Sequence, residues 1–390
     1  MQGSFNFSHT PQLHFGPGKI SDLLSIIKPF GSKILLITGA KSFTSSPYYK
    51  SILEQLQAGN IFCAHHTIDS EPSPRIVDDA VRKYAHIELN VIIAIGGGSV
   101  LDAGKAISAM LPLNEPVKNY LEGVGTQSHP GKKVAFIAVP TTAGTGSEAT
   151  KNAVISETGE FGYKKSLRHN NFVPNVAIVD PMLTRSCTPA ITASSGMDAF
   201  TQLLESYLST TANPMTDALA YKGLRYVSDS LRACYQDGTN LDARTGMALA
   251  AYLSGITLAN AGLGLVHGFA GAIGGYFPIS HGVICSSLMT ATNKITVRKL
   301  RREKNNDEAL AKYVQIGKLF AGNENRSDGY YIDYLLDTIQ VWAEEMKIPR
   351  LRQCGIDPTH FGKIVQSSDN KNNPVALNAE EMLEVLTMAN

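Results

Sequence analysis

The sequence predicts an α/β N-terminal domain built on a parallel sheet over residues 1–182, followed by an all-α C-terminal domain over residues 183–390. Three observations carry this. The chain, at 390 residues, exceeds what one ordinary hydrophobic core organises. Its first part alternates β-branched apolar runs with segments of helical spacing, the pattern of βαβ units. At Asp180-Pro181 that alternation stops, and only helical periodicity follows.

Ile34–Thr38 reads as a strand and Tyr48–Gln57 as a helix. Ile76–Ala85 reads as a second helix, and Val91–Ile95, Val134–Val139 and Val176–Val179 as further strands. Strands separated by crossover helices imply a parallel sheet covered on both faces. In the second half helices are expected over 189–209, 214–235, 241–259, 263–275, 282–296, 308–321, 329–346, 358–368 and 378–389. Asn213-Pro214 is a clear start signal, an N-cap followed by proline at the first helical position. The polar run Arg301–Asp307 reads as a solvated loop. Between Met247 and Phe277 the only Asp, Glu, Lys, Arg or His is His267. Its many glycines and Asn260 mark this stretch as a tightly packed buried helix pair rather than a membrane span, which leaves His267 in need of a partner.

Val91-Ile92-Ile93-Ala94-Ile95-Gly96-Gly97-Gly98-Ser99 passes from a strand through three glycines into a helix N-terminus. Exposed N–H donors and the positive end of the helix dipole point the same way there, so the junction suits an anion. The spacing differs from G-x-G-x-x-G, and Gly98 to Gly104-Lys105-Ala106 is one residue too long for a P-loop. A plain βα turn is the competing reading. Pro140–Thr150 also follows a strand and packs hydroxyls and glycines into a loop able to bind phosphate, ribose or an amide. It lies where ligands bind in open α/β sheets.

Asp198 and Gln202 are four apart and share one helix face. His267 and His281 are each followed by glycine. A carboxylate with two imidazoles suffices to hold Fe²⁺ or Zn²⁺ and leave room for a substrate oxygen. On residue type alone, they read equally as satisfied polar groups of a helical core.

Composition removes other classes. A net charge of +1 with no basic run argues against nucleic acid, and no basic amphipathic helix suggests a membrane surface. Five scattered cysteines without a C-x-x-C pair fit a reducing cytoplasm, and Met1–Phe5 lacks the features of a signal peptide.

The glycine triple with Ser99 and Asp102, the Pro140–Thr150 loop, Asp180-Pro181-x-Leu183-Thr184, Asp198 and the His267/His281 pair occur in one order. Together they resemble the iron-dependent (group III) alcohol dehydrogenase family over nearly the whole chain. The resemblance implies a dinucleotide-binding N-terminal domain, a helical metal and substrate domain, and hydride transfer in the cleft between them. It places Gly97, Gly98, Ser99 and Asp102 at the pyrophosphate. Thr141, Thr142, Thr145, Ser147 and Asn152 approach the cofactor, Lys164 or its neighbour Lys165 stands near the nicotinamide ribose, and Leu183 packs near the dinucleotide. Asp198, His267 and His281 are the implied catalytic residues, and these with Gln202 are the implied metal ligands. Two positions depart from the family. Gln202 and Gly271 stand where the family usually has histidines, which weakens the metal set and removes a proton-relay candidate.

The expected function is interconversion of a small alcohol and its aldehyde or ketone, with NADP(H) or NAD(H) and a divalent metal, Fe²⁺ ahead of Zn²⁺, in a cytoplasmic homodimer. Thr38-Gly39-Ala40-Lys41-Ser42 follows the first predicted strand without the carboxylate that would repel a 2′-phosphate. The alternatives are a metal-independent reductase of the same superfamily and a catalytically silent nucleotide-binding protein. A dehydroquinate-synthase-like reading lacks its basic phosphate cluster between Asp198 and His281.

Overall fold

The computed structural model describes residues 4–304, 306–322 and 325–390. The first half runs β1 (Gln12–Phe15), α1 (Leu23–Ile27), β2 (Lys33–Gly39), α2 (Pro47–Ala58), β3 (Phe62–Ile68), α3 (Pro74–Tyr84), β4 (Val91–Gly96), α4 (Gly98–Met110), β5 (Ala135–Pro140), β6 (Asn152–Glu157), β7 (Tyr163–Arg168) and β8 (Val176–Val179). Six strands form one parallel sheet in the order β1-β8-β5-β4-β2-β3, and β6 and β7 pair as a separate antiparallel hairpin. The chain direction across the sheet reverses between β2 and β4, so a crevice opens at the ends of those two strands, where Gly39 and Gly96 stand. Two apolar clusters cover the two faces. Leu35, Ile37, Ile92 and Ala94 face one way; Ile34, Leu36, Ile93 and Ile95 face the other. This is the alternation a doubly covered parallel sheet requires.

The second half is helical: α5 (Pro189–Leu208), α6 (Pro214–Gln236), α7 (Leu241–Ala261), α8 (Leu265–Tyr276), α9 (His281–Glu303), α10 (Asp307–Ala321), α11 (Asp328–Glu345), α12 (Phe361–Ser367) and α13 (Ala379–Ala389). The chain is thus an α/β unit with a parallel sheet followed by a helical region. Asn213 caps α6 as its sequence indicates, accepting from the N–H groups of Met215 and Thr216. The glycine-rich Met247–Phe277 stretch is the pair α7/α8, bent by 96° and largely buried; among the described residues no single helix is long and apolar enough to cross a membrane.

Two expectations are corrected. Arg301–Glu303 is the last turn of α9, and Asp307 already opens α10. Arg301 pairs with Asp333 at 2.8 Å and Arg302 with Glu381 at 2.9 Å, and cations suit a helix C-terminus, so these charges extend the helix rather than end it. Residue 305 of that run lies outside the described residues. The segment 358–368 splits into a 3₁₀ turn, Pro358–His360, and α12.

The two halves meet backbone to backbone where Gly146 lies against Gly255. A Cβ added at Gly255 in α7 would lie 2.1 Å from the carbonyl oxygen of Gly146, and Gly146 itself has φ 61°. Only glycine at both positions permits that approach.

Candidate active site at the sheet–helix cleft

α4 begins at Gly98, capped by Gly97 with φ −74°, so none of the three glycines needs left-handed backbone. At Gly96 and Gly98 the requirement is steric. A Cβ on Gly96 would fall 2.6 Å from Val100, and one on Gly98 would fall 2.7 Å from the Thr145 side chain. The glycine turn and the hydroxyl loop are therefore pressed together.

Lys105, two turns further along α4, fixes that loop. Its buried ammonium donates to the carbonyls of Ser147 (2.7 Å), Thr150 (3.0 Å) and Asn152 (2.8 Å) and to Thr150 Oγ1 (2.8 Å). Burial pulls its pKa down to about 8, against the opposing charges of Asp102 and Glu148. Burial likewise pushes the Glu148 carboxyl up to about 7. Asp102 accepts from Ser147 Oγ and, at 3.2 Å, from the Val154 N–H, so it ties α4 to the loop and to β6.

Three adjoining cavities form one cleft along the ends of the strands. The outermost, about 450 Å³, lies between Ser42–Tyr48 and Met182, Leu183 and Ser186. The middle one, about 550 Å³, is lined by Gly97, Ser99, Thr141, Thr142 and Glu71. The innermost, about 420 Å³, is lined by Gly98, Asp102, Thr145, Ser147, Asn152 and Lys164, and by Asp198, Gln202 and His281. Every cofactor residue expected from the sequence lines one of these cavities. The alternation of β7 decides between the lysines. Lys164 faces the cleft with its side chain 6% exposed, and Lys165 faces solvent. Asn152 Oδ1 is buried without a hydrogen-bond partner at the cavity wall.

Glu71, in the loop after β3, accepts from Ser99 Oγ at 2.8 Å and from Lys164 Nζ at 3.1 Å. Burial alone would raise its carboxyl; the Lys164 ammonium overrides this and holds it below its ordinary value. The sequence reading did not single it out, because β3 itself was not recognised.

At the inner end α5 carries Asp198, and α8 and α9 carry their histidines in their first turns. A Cβ on Gly282 would lie 2.8 Å from Ser194 O, and one on Gly268 would lie 1.9 Å from Asp369 O. The glycine after each histidine thus lets its helix close in. Asp198 is 1% exposed, and its Oδ1 is buried with no hydrogen-bond partner. That oxygen lies 3.6 Å from His267 Nε2 and 3.9 Å from His281 Nε2. A buried anionic oxygen facing two imidazole nitrogens at these distances fits a divalent cation between them. Burial lowers His281 to about 4, so its ring is neutral and its nitrogen lone pair available.

Glu205, on the same face of α5 as Asp198 and Gln202, accepts from His267 Nδ1 at 2.6 Å and from the Val266 N–H at 2.7 Å. This fixes the His267 tautomer and aims Nε2 inward. Cys285, one turn beyond His281, places Sγ 3.6 Å from both His267 Nε2 and His281 Nε2. Neither Glu205 nor Cys285 was singled out from the sequence, although the i, i+4, i+7 series 198-202-205 and the i, i+4 pair 281-285 were there to be read.

Gln202 departs from its expected role as a ligand. Its Nε2 donates to Asp198 Oδ2 at 3.2 Å, and its Oε1 accepts from Ser254 Oγ at 2.9 Å. The oxygen that would coordinate is turned toward α7, and the amide orients Asp198 instead. At Gly271, the other departure, a Cβ would meet nothing within 4 Å.

The sequence profile of the iron-containing alcohol dehydrogenase family matches residues 10–181, and that of the family's C-terminal region matches residues 192–390. Alcohol dehydrogenase 4 of Saccharomyces cerevisiae is 30% identical over 398 residues, covering 100% of this chain and 99% of its own. The 1,3-propanediol dehydrogenase of Klebsiella pneumoniae is 34% identical over 278 residues, 70% of this chain and 71% of its own. Among solved structures, a 1,3-propanediol oxidoreductase superposes with a TM-score of 0.88 at 28% identity, covering 99% of this chain and 100% of that one. An alcohol dehydrogenase from Oenococcus oeni does so with a TM-score of 0.88 at 27% identity and the same coverage. With its sequence matched from the first strand to the last helix and its fold shared end to end, the chain belongs to the iron-containing alcohol dehydrogenase family.

Proposed function

We propose that the chain interconverts a small alcohol and its aldehyde or ketone with NAD(P), using a divalent metal held by Asp198, His267 and His281. The reading divides the chain near residue 182, with the dinucleotide on the sheet side and the metal and substrate on the helical side. One observation carries it: the unpartnered Asp198 Oδ1 faces two imidazole nitrogens at the inner wall of the cleft that begins at the glycine turn. A divalent metal there supplies Lewis acidity to the substrate oxygen, and NAD(P) supplies the hydride carrier.

The chain's own residues do the rest. Gly97 and the α4 N-terminus offer N–H groups to the pyrophosphate. Asp102 and Lys105 hold Thr145, Ser147 and Asn152 against the inner cavity. Lys164 stands at the cavity wall, paired with Glu71, where it would meet the cofactor's ribose. Glu205 accepts from His267 Nδ1 and so aims Nε2 at the place the metal would take. Position 271 has no side chain to accept the alcohol proton, which would have to leave by another route.

The reading extends to a cytoplasmic homodimer on the family resemblance alone. It also extends to NADPH as a substrate at least as good as NADH, because Lys41 and Ser42 follow β2 where an acidic residue would select against the 2′-phosphate. The test is NAD(P)H oxidation with a panel of short aldehydes, before and after exhaustive chelation. Turnover that disappears on chelation and returns with added metal is expected. Absence of turnover on the whole panel refutes the activity, full activity in metal-free protein refutes the metal, and a kcat/KM for NADH tenfold above that for NADPH refutes the preference.

A further inference from the structure

We infer that Cys285 is the fourth protein ligand of the metal, its thiolate standing in for the imidazole that Gln202 replaces. The inference rests on the metal reading above and concerns which atoms hold the ion. Asp198 Oδ1, His267, His281 and Cys285 each bring one donor atom to a common centre, all within 4.8 Å of one another. Four of the separations between these donors are 3.6, 3.6, 3.6 and 3.9 Å. Donors around a tetrahedral ion with metal–nitrogen bonds near 2.0 Å and metal–sulfur bonds near 2.3 Å sit roughly 3.3–3.6 Å apart. Four of the six separations are therefore within a few tenths of an ångström of the edges of such a tetrahedron, with no side chain changing its partner.

The alternative fourth donor is turned away. Gln202 has its amide oxygen on Ser254 and its nitrogen on Asp198, so coordination through it would break both bonds. Cys285 has no such commitment. It is fully buried, and among the described residues its sulfur has the two imidazole nitrogens as hydrogen-bond partners, each at 3.6 Å. Position matters as well as distance. Asp198, Gln202 and His281 line the inner cavity, whereas His267 and Cys285 lie behind it. Sulfur thus holds the ion from the protein side and leaves the cleft side for the substrate oxygen. On loading, the thiol proton is released to solvent, as metal binding by cysteine requires.

Cobalt reports this directly. The full-length protein, stripped and reloaded with Co²⁺, is read by its electronic absorption and by equilibrium dialysis. A thiolate-to-cobalt charge-transfer band in the near ultraviolet is expected in the unmodified protein. It should be absent in Cys285→Ser and Cys285→Ala, each of which should bind Co²⁺ at least tenfold more weakly. Gln202→His combined with Cys285→Ala should regain affinity without regaining the band. Stoichiometric Co²⁺ with no charge-transfer band overturns the inference and leaves the metal reading standing, and this needs no variant. Unchanged affinity in a folded Cys285→Ala overturns it equally. Failure of the unmodified protein to bind Co²⁺ at all overturns the metal reading itself.

Discussion

Replacing Lys105 by methionine keeps the length of the buried stem and removes every hydrogen bond at its tip. Three carbonyls, of Ser147, Thr150 and Asn152, lose a charged donor. Thr150 Oγ1, freed of the ammonium, can turn to one of them, since it already lies 3.3 Å from Ser147 O and 3.2 Å from Asn152 O. Of the other two, Ser147 O keeps only a long bond from the Thr150 N–H, at 3.4 Å, and Thr150 O is left unpaired, a loss of about 1–3 kcal/mol at each. Asp102 and Glu148 also lose the cation that opposes their burial. A loss of about 2–6 kcal/mol follows, which for a unit the size of the sheet-containing half is a fall in Tm of roughly 5–15 °C. Because the loop freed by this change carries Thr145, Ser147 and Asn152, NAD(P)H should bind at least tenfold more weakly, measured by quenching of protein fluorescence. Metal content should be unaffected, since the metal site draws on α5, α8 and α9. A Tm within 2 °C of the parent together with unchanged cofactor affinity would refute the view that Lys105 fixes the loop.

Three further outcomes are expected. Glu148 has its carboxyl raised by burial to about 7 from an ordinary 4.5, so the folded state holds a proton that the unfolded state releases. Its stabilising contribution is present below pH 4.5 and lost as pH rises through 7. Glu148→Gln should therefore gain on the parent by on the order of 2–3 kcal/mol across that window, read as diverging Tm values, and parallel curves would contradict it. Gly98→Val should abolish dinucleotide binding with the fold intact by circular dichroism. Here the added Cβ displaces Thr145 as well as crowding the pyrophosphate turn, and retained affinity would move the phosphate site elsewhere. Glu205→Gln should weaken metal retention by about 10–100-fold, judged by competition with a chromophoric chelator, because the amide no longer holds the His267 tautomer; equal retention would argue that His267 does not bind the ion.

The strands read correctly from the sequence are the four inner ones, β2, β4, β5 and β8, and the ones missed in the sheet are its two edges, β1 and β3. The reason is burial. An inner strand of a parallel sheet is covered on both faces and appears as an unbroken apolar run such as Val91–Ile95. An edge strand such as Phe62–Ile68, with two histidines and an exposed phenylalanine, has no such constraint and no clear alternation. The β6–β7 hairpin was missed for a similar reason, its lysines and serines serving the cleft rather than a core. At the site, the positions proposed to meet a ligand were legible through resemblance, and those that hold other residues in place were not. Glu71 and Glu205 are separated in sequence from the lysine and the histidine they bond by enough chain that only the fold brings them together, whereas Cys285 lies one turn from His281. Lys105 follows the glycine turn in sequence, but nothing in one dimension shows it reaching Ser147, Thr150 and Asn152.

Glycine in the middle of a helix costs about 1 kcal/mol relative to alanine, and exchanging the two is a routine route to a more heat-resistant protein. Gly255 would be an obvious choice for that exchange on sequence alone, being flanked by Ser254 and Ile256 in the long helix α7. Its contact with the Gly146 carbonyl makes the exchange self-defeating, since the new methyl would have to push the hydroxyl loop outward. Gly146 cannot yield by mutation either, because its own backbone is left-handed and its own Cβ would strike Gly255. The two positions are locked to each other: neither can change first. A library that scores variants by helix propensity would select a substitution here that loosens coenzyme binding from the far side of the loop.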